Sequence, residues 1–180
     1  MTKPQRLPST IRVPLIVGAA LLLLGGHAVS DTLTGEVVAL SDGDTVTVLD
    51  SAKTQYKVRL AGIDAPEKRQ AFGERSKQNL AAMVFRKQVT VEWHKRDRYG
   101  RIVGKVLVER ADAGLAQLRA GMAWHYKQYA REQTPEDRAA YAGAEDEAQE
   151  THVGLWRDVA PVAPWDFRRR AHPDEHATAH

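Results

Sequence analysis

Thr34-Gly35-Glu36-Val37-Val38-Ala39-Leu40-Ser41-Asp42-Gly43-Asp44-Thr45-Val46-Thr47-Val48-Leu49 holds two β-rich runs around a short polar cluster. Branched residues on a period near two suit a pleated, half-buried surface, and Asp-Gly within the cluster is a hairpin turn signal. Asp42 reads as the turn-former of that cluster. The same period continues outward to Val108. Tyr56–Ile63 reads as a third strand, reached through a polar connection around Asp50–Lys53. Asp64-Ala65-Pro66-Glu67 stops it, because proline has no amide hydrogen for a ladder and restrains the residue before it. Gln88–Trp93 and Ile102–Val108 are two further strands, linked by the charged segment Lys95–Arg101 with Gly100 as the turn residue.

Between the third and fourth strands the period changes. Phe72, Ser76, Leu80, Met83 and Val84 fall at helical spacing, so Gly73–Phe85 is an amphipathic helix. Leu115, Leu118 and Met122 suit a short helix ended near Gly121. Thr134 is an N-cap followed by Pro135, and Tyr141, Ala144, Ala148 and His152 share one face of a long helix over Pro135–His152. Leu155 and Trp156 are expected to pack back on the core. Trp93 and Trp165 are assigned to packing too. Pro161–Phe167 is expected to be an extended lap, followed by a disordered tail over 168–180. Five strands, a helix after the third and helices at the end predict an α+β fold: a five-stranded OB-type β-barrel with about three α-helices.

The chain has 180 residues, 43% hydrophobic and 27% charged, which is room for one ordinary globular domain and excludes a disordered chain. It has no cysteine, so a disulfide framework, a thiolate metal site and a cysteine nucleophile are excluded. Residues 1–30 read as a signal peptide. Lys3, Arg6 and Arg12 precede an apolar run from Val13 to Gly26, and Ala28 and Ser30 have cleavage-site spacing. An uncleaved anchor is the open alternative. The expected layout is a leader over 1–30, one domain over 31–167 and a tail. It implies an exported protein, periplasmic or secreted, that meets a membrane only in transit. Cleavage removes three basic residues and no acid, taking the formal charge from +3 to zero. Overall charge is then no argument for a polyanionic partner. From Lys68 to Arg110, however, twelve Lys or Arg stand against four acids, a local excess that suits either a polyanion or solvated faces.

Five polar residues sit where strands end: Asp44, Arg59, Asp64, Glu67 and Arg101. Neighbouring strands would bring Asp44 and Asp64 together, and two adjacent carboxylates repel unless a cation lies between them. With no Cys, and no His in the segment, the donors are hard oxygens that favour Ca²⁺ or Mg²⁺ over zinc. Arginine presents a permanently charged planar fork to phosphate oxygens. Two arginines beside a divalent cation suit a phosphodiester displacement, in which negative charge builds on the phosphate oxygens. Glu67 would take a proton from the attacking water or orient it. Surface salt bridges among the five are the plain alternative.

Three stretches appear in one order: Asp42-Gly43-Asp44-Thr45-Val46, then Arg59-Leu60-Ala61-Gly62-Ile63-Asp64-Ala65-Pro66-Glu67, then Asp97-Arg98-Tyr99-Gly100-Arg101. With Leu115 to Gly121 and Gly154-Leu155-Trp156, this order resembles the staphylococcal-nuclease-like (thermonuclease) family over Leu33 to Trp165. The resemblance implies an OB barrel and a hydrolase: a calcium-dependent endonuclease acting on DNA and RNA with little sequence specificity and leaving 3′-phosphate ends. It implies that Asp44, Asp64 and the carbonyl of Ala65 bind Ca²⁺. Arg59 and Arg101 would be the phosphate-binding arginines and Glu67 the residue that handles the water. Arg98 and Tyr99 match a substrate-binding pair, with arginine where the family's founding member has lysine. The loop between Glu67 and the following helix is shorter than in that member. Tyr126 and Tyr129 are candidates for stacking on a base, with packing the alternative, as it is for Trp124.

Other residues carry no assigned role. His172, His176 and His180 recur every four residues but read as part of the tail, as does Arg168-Arg169-Arg170. His94 and His125 lack an orienting partner in the sequence. No stable protein partner is expected, and a monomer is the default. The rival reading is a non-catalytic OB-fold nucleic-acid-binding module, but binding alone gains nothing from two acids that repel phosphate.

Overall fold

The computed structural model describes residues 31–171. The leader and His172, His176 and His180 lie outside the described residues. The chain runs β1 (Asp31–Leu40), β2 (Thr45–Leu49), β3 (Gln55–Leu60), β4 (Ile63–Asp64), α1 (Gly73–Val84), β5 (Gln88–Arg96), β6 (Ile102–Val108), β7 (Ala111–Asp112), α2 (Ala113–Arg119), β8 (Trp124–His125), α3 (Pro135–Glu150) and α4 (Pro164–Ala171). Five strands follow the order β3-β2-β1-β5-β6 and close through a β3–β6 pairing. All contacts in this ring are antiparallel except the closing one, where Val58 to Leu60 lie parallel to Ile102 to Gly104. The architecture is the expected α+β barrel of OB type.

Alternation explains the closure. Val46, Val48, Val58, Leu60, Val89, Val91, Ile102 and Val106 point inward and are buried, joined by Leu80 and Val84 of α1 and Leu118 of α2. Each such side chain contributes on the order of 1.5–3 kcal/mol of burial free energy. Thr134 caps α3 by accepting from the Asp137 amide, and Asp112 caps α2 by accepting from Gly114 and Leu115.

Four elements differ from the sequence expectation. β1 begins at Asp31 because its first residues pair with β5 as far as Trp93, and β5 in turn runs to Arg96 against Ile102. The third strand is broken after Leu60. Gly62, at φ 75°, turns the chain so that Ile63 and Asp64 leave the barrel ladder and pair with His125 and Trp124. The largest correction concerns the C-terminus. Pro164–Ala171 is a fourth helix, where an extended lap and the start of a disordered tail were expected. Pro164 heads it, Asp166 lies in its first turn and Arg168 to Arg170 in its last, an arrangement that suits the helix dipole. Eight residues are too few to show a helical period, and a helix this short is stable only when docked. Its dock is aromatic: Trp165 lies parallel to Tyr126 at 5.5 Å and edge-on to Trp124 at 5.7 Å. Trp156 is buried in the same small cluster, as the packing assignment requires.

Candidate active site

The site forms where the β1–β2 turn meets the broken third strand. Gly43 is needed there by space: an added Cβ would lie 1.9 Å from the Ser76 hydroxyl and 2.9 Å from the Ala65 methyl. The Gly43 carbonyl accepts from Nε2 of Gln117 at 2.7 Å, and Asn79 donates to the other end of that amide at 2.6 Å. Gln117 is fully buried on α2, and it pins the turn that carries Asp44. Sequence reasoning missed it, because a lone Gln on an apolar helix face carries no signal of its partner.

Asp44 and Asp64 are brought together. Oδ2 of Asp44 accepts from the Ala65 amide at 3.0 Å and Oδ1 from the Thr45 hydroxyl at 2.9 Å. The Asp44 carbonyl accepts from the Leu60 amide at 2.8 Å, so this bond and the one from the Ala65 amide hold both acids in one frame. Arg59 lies between them. Its Nη2 donates to Oδ1 of Asp64 at 2.8 Å and stands 3.4 Å from Oδ2 of Asp44, while Nη1 donates to the Ile63 carbonyl at 3.0 Å. Burial opposes the charge on Arg59, but Asp44 and Asp64 outweigh it and hold the guanidinium above its ordinary range. Burial pushes the Asp64 carboxyl up, against the hydrogen bond from Arg168 and the charge of Arg59. Asp42 accepts from the Asp44 amide at 3.1 Å, as a turn-former does. Its carboxyl is also pushed up to about 6, by burial first and by the charge of Asp44 second.

Glu67 follows on the loop before α1. Gln70 fastens that loop, accepting from the Glu67 amide and donating to the Val162 carbonyl at 2.5 Å. The side-chain partner of Glu67 is Arg168, whose Nη1 donates to Oε1 at 2.6 Å. The same guanidinium reaches Oδ2 of Asp64 at 2.7 Å and Oδ1 at 3.3 Å. Arg168 therefore belongs to the site and not to an exposed tail. The 104 residues that separate it from Asp64 explain why nothing local pointed to it.

Arg101, just before β6, bonds Asp97 and not these carboxylates. Its Nε donates to Oδ2 of Asp97 at 2.7 Å and its amide to Oδ1 at 3.0 Å. Burial of Asp97 is outweighed by those bonds, which keep its carboxyl below the usual range. Arg98 donates to the Tyr99 hydroxyl at 2.7 Å, and both Arg98 and Arg101 lie over the Tyr99 ring, which is 69% exposed. The two tyrosines of the base-stacking expectation meet edge to face at 5.0 Å but differ in what covers them. Tyr126 is stacked on Trp165 and lies under Arg59 at 5.7 Å, whereas Tyr129 is exposed with Lys95 over its ring. His125 is buried in β8, with Nε2 2.9 Å from Oε1 of Gln133, so its partner lies eight residues further along.

Among the described residues, no group of three or more His, Cys, Asp or Glu side chains is arranged to hold a metal. The donors that a cation would meet are two buried carboxylates with the Ala65 backbone beside them, all hard oxygen. Two guanidinia already converge on Asp64, so the place is built for positive charge and fits a hard divalent ion.

A family model described as staphylococcal nuclease homologue matches residues 57–158. The chain belongs to this family. Proteins similar to it include the micrococcal nuclease of Shigella flexneri, 41% identical over 85% of this chain and 90% of that protein. Protein ParB of Escherichia coli is 45% identical over 77% of this chain and 81% of its own length. An uncharacterized endonuclease of Haemophilus influenzae is 42% identical over 76% and 74%. The matched segment holds Arg59, Asp64, Glu67 and Arg101, while Asp44 before it and Arg168 after it are brought in by the fold.

Proposed function

We propose that this chain is an exported, calcium-dependent nuclease that hydrolyses DNA and RNA with little sequence preference and leaves 3′-phosphate ends. The observation that carries this reading is the convergence of Asp44, Arg59, Asp64 and Glu67 from separate segments onto one edge of the barrel. Kinship with proteins named micrococcal nuclease and endonuclease supports it. Export rests on the leader over residues 1–30.

Asp44, Asp64 and the carbonyl of Ala65 would hold Ca²⁺. A bound ion there supplies a positive charge that polarises a phosphoryl oxygen and draws the diester into place. Arg59 receives a phosphate oxygen on its fork while remaining anchored by the Ile63 carbonyl. Arg101, kept rigid by Asp97, offers its remaining guanidinium edge to a second oxygen. Glu67 accepts the proton of the attacking water or orients it. The bond from phosphorus to the 5′ oxygen breaks, leaving a 5′-hydroxyl and a 3′-phosphate. Charge that grows on the equatorial oxygens meets two fixed cations, and such preorganised charge accounts for about 10²–10³ in rate per contact.

The test is one assay on the purified protein with closed circular DNA and single-stranded RNA, each with calcium, magnesium or chelator, beside Arg101→Ala. Calcium-dependent cutting of both substrates, lost in the variant, is the expected outcome. Salt-sensitive binding without cutting would instead assign the chain to a binding module that keeps a relic site.

A further inference from the structure

We infer that Arg168 is a resident counter-ion of the carboxylate site, displaced from Asp64 when a divalent cation enters, so that the last helix is coupled to metal binding. This rests on the calcium reading above and adds to it a competitor supplied by the chain itself.

Both oxygens of Asp64 are in use. Oδ2 accepts from Arg168, and Oδ1 from Arg59 at 2.8 Å and Arg168 at 3.3 Å. A hard divalent ion takes a carboxylate oxygen at about 2.3–2.6 Å, and most of the acceptor sites of Asp64 already hold guanidinium hydrogens. Like charges in contact also repel strongly where solvent is scarce, and Asp64 is only 1% exposed. One arginine must therefore withdraw.

The two arginines are not equally held. Arg59 lies on a barrel strand, has a side chain 15% exposed and has three anchors in Asp44, Asp64 and the Ile63 carbonyl. Arg168 is 40% exposed, sits in the last turn of an eight-residue helix, and among the described residues bonds only Asp64 and Glu67. Its long stem swings out to water at little cost. Arg168 is the one to leave. Until it does, it bridges Asp64, which it shares with Arg59, and Glu67, which it keeps engaged.

Trp165 reports the exchange. It lies three residues before Arg168, which is one turn and the same helix face, and it stacks on Tyr126. Release of Arg168 loosens the C-terminal end of that helix and changes the surroundings of the indole.

The experiment titrates calcium into the full protein, followed by calorimetry and by tryptophan emission. It uses the natural sequence, Arg168→Gln and Arg168→Lys, with Asp64→Asn as the site control and Trp165→Phe to attribute the signal. Arg168→Gln is expected to bind calcium about tenfold more tightly, the loss of one competing contact, with Arg168→Lys in between. Emission is expected to change on calcium addition in the natural protein, much less in Arg168→Gln, and not in Trp165→Phe. An affinity equal to or weaker than the natural one in both Arg168 variants overturns the inference and leaves the calcium reading intact. Absence of any Asp64-dependent calcium binding overturns that reading, and the inference with it. Melting of each variant in chelator shows that the affinities compare folded proteins, and Arg168→Lys carries the test should the glutamine variant not fold.

Discussion

The site has two halves that are held in different ways. On the barrel side, Asp44 and Arg59 are tied by backbone bonds where β2 meets β3, the Asp44 carboxylate is bonded to the Ala65 amide next to Asp64, and the buried amide of Gln117 holds the turn. On the other side, Glu67 lies on a loop and Arg168 on a short helix docked by aromatic contacts, both with side chains over a third exposed. The first half is a rigid frame whose charges cannot move. The second half is able to rearrange. The proposed calcium-dependent reaction would benefit from that division, because fixed charges need no reorganisation in the reaction while metal entry requires something to give way.

Substitutions separate the two halves, beginning with the largest effect. Arg59→Ala should lower kcat about 10²–10³-fold, with melting in calcium moved by only a few degrees. Equal loss of fold and activity would assign Arg59 to structure and dissolve the rigid-frame reading. Gly43→Ala should act on the frame itself, since its methyl has no room beside Ser76 and Ala65. Overpacking of that kind costs about 1–3 kcal/mol, read by urea unfolding, and an unchanged midpoint would show that the turn yields.

Beside the two halves, Tyr129→Ala should raise KM for single strands about fivefold, with kcat nearly unchanged, because that ring is exposed whereas Tyr126 is covered by Trp165. An unaltered KM would return Tyr129 to packing. The smallest effect is a slope with pH. Asp42 has its carboxyl raised to about 6 from 3.8, so the folded, calcium-free chain keeps a proton that the unfolded chain releases. Stability from this group is complete below about pH 4 and is lost as pH rises through about 6. Urea midpoints in chelator should fall across that window, and Asp42→Asn should flatten the fall. A fall of the same size in Asp42→Asn would place the titrating group elsewhere.

Much of this is legible in the sequence. Alternation in Val46 to Leu49 and Ile102 to Val108, the Asp-Gly turn and the Thr134-Pro135 cap each act within a few residues, and the fold keeps them all. The break after Leu60 was less legible. Gly62 hinted at it, but the partner that makes Ile63–Asp64 a separate strand is β8, some sixty residues away.

Local sequence determined the five barrel strands and the helices α1 to α3, and the five polar residues at strand ends, because side-chain period and turn chemistry are short-range properties. Only the tertiary structure decided that the fork of Arg168 closes on Asp64 and Glu67, that Gln117 holds the Asp44 turn, and that Trp165 covers Tyr126. Those contacts join residues far apart in the chain. Their free energy depends on burial and on charges brought close by folding, which neither spacing nor composition encodes.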